Sequence, residues 1–120
     1  MYKSGLAIWY NVANLDRTLD FYTKGLGFEV DYQDPGSRMV IVKTNTKDCF
    51  IGFTEANEVV PVTSSAVFEV EDIELAVAEL KSRGVSFTGE IETIPDFVKL
   101  AVFHDPDGHR FELSQTLVSS

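Results

Sequence analysis

The sequence of 120 residues has little of several features that define protein classes. Its one cysteine, Cys49, excludes an intramolecular disulfide and therefore a disulfide-stapled scaffold. No segment approaches the roughly 20 consecutive apolar residues of a membrane-spanning helix. With 10 Lys and Arg against 19 Asp and Glu, the chain has no basic face of the kind that neutralises phosphates. We therefore expect neither a membrane nor a nucleic acid as its partner.

The first residues, MYKSGLAIWYNV, lack the basic start, apolar run and cleavage site of a signal peptide. We therefore expect a cytoplasmic protein. The length fits one domain over residues 1–120, large enough to bury a core without disulfides.

The acidic residues are unevenly distributed. Nine of them lie between residues 55 and 92, against only Lys81 and Arg83. One interpretation is a solvated surface that keeps the protein soluble. The other is a preference for a cationic or neutral ligand.

The first half of the chain has the pattern of one strand, one helix and three strands. Ile8, Tyr10 and Val12 alternate with polar or small neighbours and predict a strand. Asn14 is a suitable cap for a helix over the segment LDRTLDFYTKGLGF, which ends at two glycines. Further strands are predicted around residues 28–33, 38–44 and 48–54, with turns between them.

The pattern then begins again 58 residues later, so that Asp72 follows its strand as Asn14 follows the first. The second copy predicts a helix that ends near Gly84 and strands near 85–92, 97–104 and 109–115. The run Asp105-Pro106-Asp107-Gly108 predicts a hairpin between the last two strands. We therefore predict an α+β protein made of two βαβββ modules, about residues 1–57 and 62–120.

One face of every strand is apolar enough to pack on a helix, which leaves a second face without a partner. Its predicted members come from both first strands and from the closing hairpin: Ala7, Trp9, Asn11, Ser65, Val67, Glu69, Lys99, Ala101, Phe103, Arg110, Glu112 and Ser114. This mixture of aromatic, small and charged side chains is typical of a ligand cavity or a partner interface.

The segments NLDRTLDFYTKGLGF, VEDIELAVAELKSRGV and FHDPDGHRFEL resemble the vicinal oxygen chelate superfamily. That superfamily includes glyoxalase I, the bleomycin- and fosfomycin-resistance proteins and the extradiol dioxygenases. The resemblance covers nearly the whole chain. It implies paired βαβββ modules whose sheets curl around a cavity, commonly completed by a second subunit, so we expect a homodimer.

In metal-using members of this superfamily, four strand positions hold the metal, and the resemblance places them at Ala7, Gly52, Ser65 and Glu112. Only Glu112 is a strong ligand, because methyl and hydrogen side chains offer no lone pair and a serine hydroxyl is a weak donor. We therefore predict no metal, no other cofactor and no catalytic residue. The lyase and dioxygenase activities of the superfamily need the metal.

The remaining nucleophilic or metal-ligating side chains indicate no second site. Alternation places His104 and His109 on the helix-packed side or at the mouth of the hairpin, away from Glu112, and we expect them to flank the turn as surface residues. Cys49 has no histidine near it in sequence, and a buried unreactive thiol is the commoner case.

Trp9 alternates out of phase with the helix-packing residues, so we expect it to face the cavity with Phe50 and Phe103 and to stack on a ligand. Burial in a dimer contact is the alternative. Lys99 and Arg110 are predicted beside Glu112, either as a structural ion pair or as contacts to a charged ligand. The predicted ligand-binding residues are Trp9, Asn11, Phe50, Ser65, Glu69, Lys99, Phe103, Arg110 and Glu112.

These observations leave three hypotheses. The first is a metal-independent protein that binds and sequesters a small, drug-like or aromatic molecule. The second is a metal-dependent lyase or dioxygenase whose ligands lie a residue or two from the assigned positions. The third is a structural or regulatory dimer with a vestigial cavity.

Overall fold

A computed structural model describes residues 1–34 and 36–117. It divides into two compact units, residues 1–60 and the part from residue 61 onward. Neither α-helix of the described residues has the length and hydropathy that crossing a membrane requires.

The first unit contains one four-stranded sheet and one helix. Its elements are β1 (Leu6–Val12), α1 (Leu15–Asp20), a π-helical turn (Phe21–Gly25), β2 (Glu29–Asp34), β3 (Met39–Lys43) and β4 (Cys49–Glu55). The strands lie in the order β1-β4-β3-β2, in which β1 is parallel to β4 and the other neighbours are antiparallel.

The second unit repeats this arrangement. Its elements are β5 (Ala66–Glu69), α2 (Ile73–Ser82), β6 (Phe87–Ile94), β7 (Val98–His104) and β8 (Arg110–Thr116), and the strand order is β5-β8-β7-β6. Again the first strand pairs in parallel with the last. The α+β class and the repeated strand–helix–three-strand pattern expected from the sequence are therefore confirmed.

Both helices begin where the sequence places them. The Asn14 side chain accepts a hydrogen bond from the backbone N–H of Arg17 at 3.0 Å, and that of Asp72 accepts one from Leu75 at 3.2 Å. These bonds satisfy donors that the first turn of a helix leaves unpaired. The periodicity of the first helix did not reveal its π-helical end. That wider turn brings Tyr22 onto Phe53, with ring centroids 4.5 Å apart.

Strand β7 corrects the expected orientation of Lys99, Ala101 and Phe103. Phe103 is fully buried, lies opposite Phe111 and stacks on it at 5.5 Å between centroids. Ala101 is also in the core. Both alternating sets in VKLAVFH contain apolar residues, so hydrophobicity alone could not choose between them, and a shift of one residue exchanges the faces.

Lys99 consequently faces α2. Its Nζ donates a 2.7 Å hydrogen bond to Glu74, and that bond is the main cause that holds the pKa of Glu74 below its ordinary value. The expectation that Lys99 lies beside Glu112 is therefore wrong.

The β7–β8 hairpin corrects the expectations for the two histidines. His109 is buried: its ring Nδ1 accepts a hydrogen bond from the backbone N–H of Val62, and its backbone N–H donates to the carboxylate of Asp105. A histidine with both groups engaged holds the chain entering the unit against the hairpin. Gly108 completes the expected turn at φ +86°, a backbone conformation that favours glycine. His104 is exposed, as expected, but it lies opposite Arg110 on the face of the sheet that carries Glu112 rather than away from it.

Replacing Asp72 by Ala removes the cap of α2, and we expect a loss of about 1 kcal/mol in the free energy of unfolding. Urea denaturation measures this value. The matched control is Glu71→Ala, since Glu71 is an exposed neighbour outside the helix. Equal losses in the two variants would contradict the capping role.

Candidate functional site

Each sheet has one face that its helix covers and one that we call the open face. In the first unit the helix side carries Tyr10 and Phe53, and the Phe53 ring contacts both Tyr10 and Tyr22 of the π-helical turn in the core. The strand registers place these residues on the open face: Ala7, Trp9, Asn11, Phe50, Gly52, Thr54, Met39, Ile41 and Lys43. Trp9, Asn11 and Phe50 therefore lie on the face expected for them.

Trp9 lies flat over Gly52, its partner in the parallel register of β1 and β4. A Cβ atom added to Gly52 would come within 2.6 Å of Cδ2 of the Trp9 ring, closer than real Cβ atoms approach. Gly52 is therefore required for the close approach of this ring to the sheet.

A hydrogen bond fixes the orientation of the same ring. Nε1 of Trp9 donates to Oγ1 of Thr54 at 2.7 Å. The indole N–H thus has its partner within the sheet, while 44% of the residue stays exposed. The result is an aromatic surface, held in one orientation and open on its outer side.

A shallow cleft of about 360 Å³ lies along the β3–β4 turn, lined by residues 43–50. Of the predicted ligand-binding residues it contains only Phe50, which is half-buried.

The open face of the second unit is more polar. Lys99 and Gln115 lie on the helix side, where Gln115 accepts a hydrogen bond from the N–H of Ile73 at the start of α2. The opposite, open face carries Val67, Glu69, Arg110, Glu112, Ser114, Leu100, Val102 and His104. Glu69, Arg110 and Glu112 therefore share one face, whereas Lys99 and Phe103 do not belong to it. Ser65 directly precedes β5 and is half-buried.

Glu69 is held by its neighbours in the sheet. Its two carboxylate oxygens accept hydrogen bonds from the backbone N–H of Thr116 at 3.0 Å and from the hydroxyl of Ser114 at 2.9 Å. Bonds from Thr116, and then from Ser114, hold the pKa of Glu69 below its ordinary value because they favour the charged carboxylate.

Glu112 and Arg110 form the remaining charged pair on this face. Nη2 of Arg110 lies 3.8 Å from Oε1 of Glu112, whose side chain is 16% exposed. The pair joins residues two apart on one strand, so it is not the cross-strand contact expected with Lys99.

The four positions that the resemblance assigns to a metal do not fit one. Ala7 and Gly52 supply no donor atom, and the Trp9 ring covers Gly52. Glu112 already has a cation, Arg110, beside it. Among residues 1–34 and 36–117, no three His, Cys, Asp or Glu side chains cluster closely enough to hold a metal ion. The donor set is chemically unsuited to a divalent cation.

The two open faces use equivalent positions differently. Trp9 lies opposite Gly52 in the first unit, and at the corresponding point of the second unit Val67 lies opposite Glu112. Sequence reasoning missed Thr54 and Thr116, which orient Trp9 and Glu69. Both threonines continue the alternation of open-face residues along β4 and β8, and that alternation is the signal that would have found them.

A family model described as the Glyoxalase/Bleomycin resistance protein/Dioxygenase superfamily matches residues 6–113. None of the curated protein sequences is significantly similar to the chain.

Several solved structures share the fold over nearly their whole length. An integron cassette protein from the mobile metagenome of the Halifax Harbour sewage outfall is 27% identical, with a TM-score of 0.78 over 95% of this chain and 99% of that one. A superfamily member from Sphaerobacter thermophilus is 26% identical, with a TM-score of 0.78 over 95% and 98%. TnmS3, an antibiotic binding protein from Streptomyces sp. CB03234, is 23% identical, with a TM-score of 0.78 over 96% and 97%.

Replacing Gly52 by Ala forces the Trp9 ring off the sheet. We expect a loss of roughly 2 kcal/mol in the free energy of unfolding and a shift of the Trp9 fluorescence to longer wavelength, because the ring becomes more hydrated. Gly36→Ala is the control, since its added Cβ meets only an ordinary contact at 3.5 Å. An unchanged emission spectrum in Gly52→Ala would contradict the packing of Trp9 on Gly52.

Glu69 gives a dependence of stability on pH. Its pKa is lower in the folded than in the unfolded protein, so its stabilising effect is present above the unfolded pKa and is lost as pH falls through the folded value. We expect the stability difference between the wild type and Glu69→Gln to shrink over that range, as measured by urea denaturation. For Glu90→Gln, an exposed control on β6, a smaller change is expected.

Proposed function

The chain belongs to the glyoxalase/bleomycin resistance protein/dioxygenase superfamily, and we propose that within it this protein binds a flat, drug-like molecule without a metal ion. Binding of this kind requires affinity alone and no activated group, so it does not depend on donor atoms at Ala7 and Gly52. The superfamily contains both binding proteins and enzymes, so the residues of the open faces, and not the fold, must distinguish between these functions.

The observation that carries the proposal is the placement of Trp9. At a position that would hold a metal ligand in metal-using relatives, this chain has Gly52, and the ring of Trp9 occupies the space above it. The bond to Thr54 holds the ring in place before any ligand arrives, so little side-chain entropy remains to be lost on binding. Such a rigid, half-exposed indole suits stacking on an aromatic or cationic group.

The neighbours of Trp9 extend this aromatic surface. Ile41 lies opposite Gly52 on β3, and Phe50 is two residues from Gly52 on β4. Tyr32, which is exposed, lies opposite Ile41 on β2. Apolar and aromatic side chains with a few polar groups are the usual lining of small-molecule sites.

A structural relative supports the same binding function. TnmS3, which has this fold, is described as an antibiotic binding protein. We extend that role to this chain as a proposal, since the identity of the two chains is 23%. The homodimer and the cytoplasmic location expected from the sequence stay predictions, and light scattering in solution tests the first.

Trp9 is the only tryptophan in the sequence, so intrinsic tryptophan fluorescence reports on this one site. We expect saturable quenching by at least one of metal-free bleomycin, ethidium or 8-anilinonaphthalene-1-sulfonate, with the same affinity in the presence of EDTA. Absence of binding by all three probes would contradict the proposal. Binding that appears only after loading with zinc, nickel, iron or manganese would favour the metal-dependent enzyme instead.

Trp9→Leu tests the role of the ring directly. We expect binding of the quenching probe, measured by calorimetry, to weaken about tenfold because an aromatic stacking partner is lost. The matched control is Phe97→Leu, which removes an exposed aromatic side chain from the β6–β7 turn of the second unit. Equal effects of the two substitutions would exclude Trp9 as the binding surface.

A further inference from the structure

The Arg110–Glu112 pair on the open face of the second unit is incompletely bonded. The 3.8 Å between Nη2 and Oε1 exceeds the roughly 2.7–2.9 Å of a charge-assisted hydrogen bond. Nε of Arg110 is buried and has no hydrogen-bond partner among the described residues. Both members of the pair thus retain bonding capacity in the folded protein.

The surroundings of Glu112 make it energetically costly to leave its carboxylate without a hydrogen-bond partner. Val67 lies opposite it on β5, and Val102 lies opposite it on β7, so apolar side chains flank the carboxylate on both sides. Its side chain is largely buried, so it loses hydration, which Arg110 at 3.8 Å only partly replaces. The guanidinium of Arg110 remains partly exposed, at 41% of its side chain, so a ligand can reach the pair from solvent.

The other polar groups near the pair already have partners. Glu69 accepts bonds from Ser114 and Thr116. Nδ1 of His104, the residue opposite Arg110, lies 3.1 Å from the hydroxyl of Thr88. The unused hydrogen-bonding capacity therefore concentrates on Arg110 and Glu112.

We infer that Arg110 and Glu112 together bind a neutral group that carries an acceptor and a donor side by side, such as a primary carboxamide or a urea. Its carbonyl oxygen accepts from the Arg110 guanidinium, and its N–H donates to the Glu112 carboxylate. This inference rests on the proposed binding function and adds the chemical class of the ligand's polar group.

The charges of the pair explain why the preferred group is neutral. A carboxylate gains from Arg110 but is repelled by Glu112, and an amidinium gains from Glu112 but is repelled by Arg110. A carboxamide meets complementary atoms at both residues and brings no net charge. Either charged ligand also leaves one member of the Arg110–Glu112 pair without a partner, and this lowers the binding affinity.

Three compounds of nearly the same shape test this inference: 2-naphthamide, 2-naphthoate and 2-naphthamidinium. Calorimetry or NMR titration of the full chain measures their dissociation constants. We expect 2-naphthamide to bind about tenfold more tightly than the two charged compounds. In ¹⁵N-labelled protein, the Nε–Hε resonance of Arg110 should shift on saturation with 2-naphthamide, and Arg110→Lys assigns that resonance by its disappearance.

Substitutions of the pair should change the preference in opposite directions. Glu112→Gln leaves Arg110 uncompensated, so we expect 2-naphthoate to become the best ligand. Arg110→Gln leaves Glu112 uncompensated and should favour 2-naphthamidinium. Arg83→Lys is the control, because Arg83 is exposed, pairs with Glu79 on α2 and should leave the order of affinities unchanged.

The possible outcomes separate this inference from the proposed function. A wild-type preference for naphthoate or naphthamidinium, or equal affinity for all three, would overturn the inference and leave small-molecule binding intact. The same holds if none of the three binds while a probe of Trp9 does. If neither these compounds nor the Trp9 probes bind, both the inference and the proposed function are wrong.

Discussion

Each module has one helix for a four-stranded sheet, so only one face of the sheet is covered within the module. The covered face takes the large apolar side chains, including Phe53 in the first unit and Phe103 and Phe111 in the second. The alternate residues of each strand therefore lie on the face that no helix of the module covers. The Trp9 ring and the Arg110–Glu112 pair, on which the two proposals rest, both lie on faces left open for this reason.

The duplicated backbone supports two different surfaces. Parallel pairing of the first and last strands gives both modules the same register, so Gly52 and Glu112 occupy equivalent places. In the first module the absence of a side chain admits a tryptophan ring, and in the second a carboxylate is placed between two valines. Different residues at equivalent positions therefore give an aromatic surface and a polar one on the same fold. On neither surface do the described residues group three His, Cys, Asp or Glu side chains closely enough to hold a metal ion.

Most elements could be predicted because their signals are local. Alternation marks the strands, Asn14 and Asp72 have the oxygen atoms that cap helices, and glycine permits the positive φ of the last turn. The candidate site was predictable in part for the same reason: Trp9, Glu69, Arg110 and Glu112 lie on the faces that alternation assigns. The errors arose where local signals were ambiguous or long-range. Strand β7 has apolar residues in both phases, and His109 is buried by a bond to Val62, which is 47 residues away in sequence.

The sequence by itself determined the α+β repeat, the helix starts and the lack of donor atoms in the side chains of Ala7 and Gly52, because these depend on residue type and on neighbours a few positions away. Only the tertiary structure decided which face of β7 is buried and that Lys99 pairs with Glu74. The same holds for the ring of Trp9, which packs on Gly52 and donates a hydrogen bond to Thr54. These outcomes depend on strand register and on contacts between distant segments. The register decides which side chains of neighbouring strands lie next to one another, and the pattern of a single strand does not contain that information.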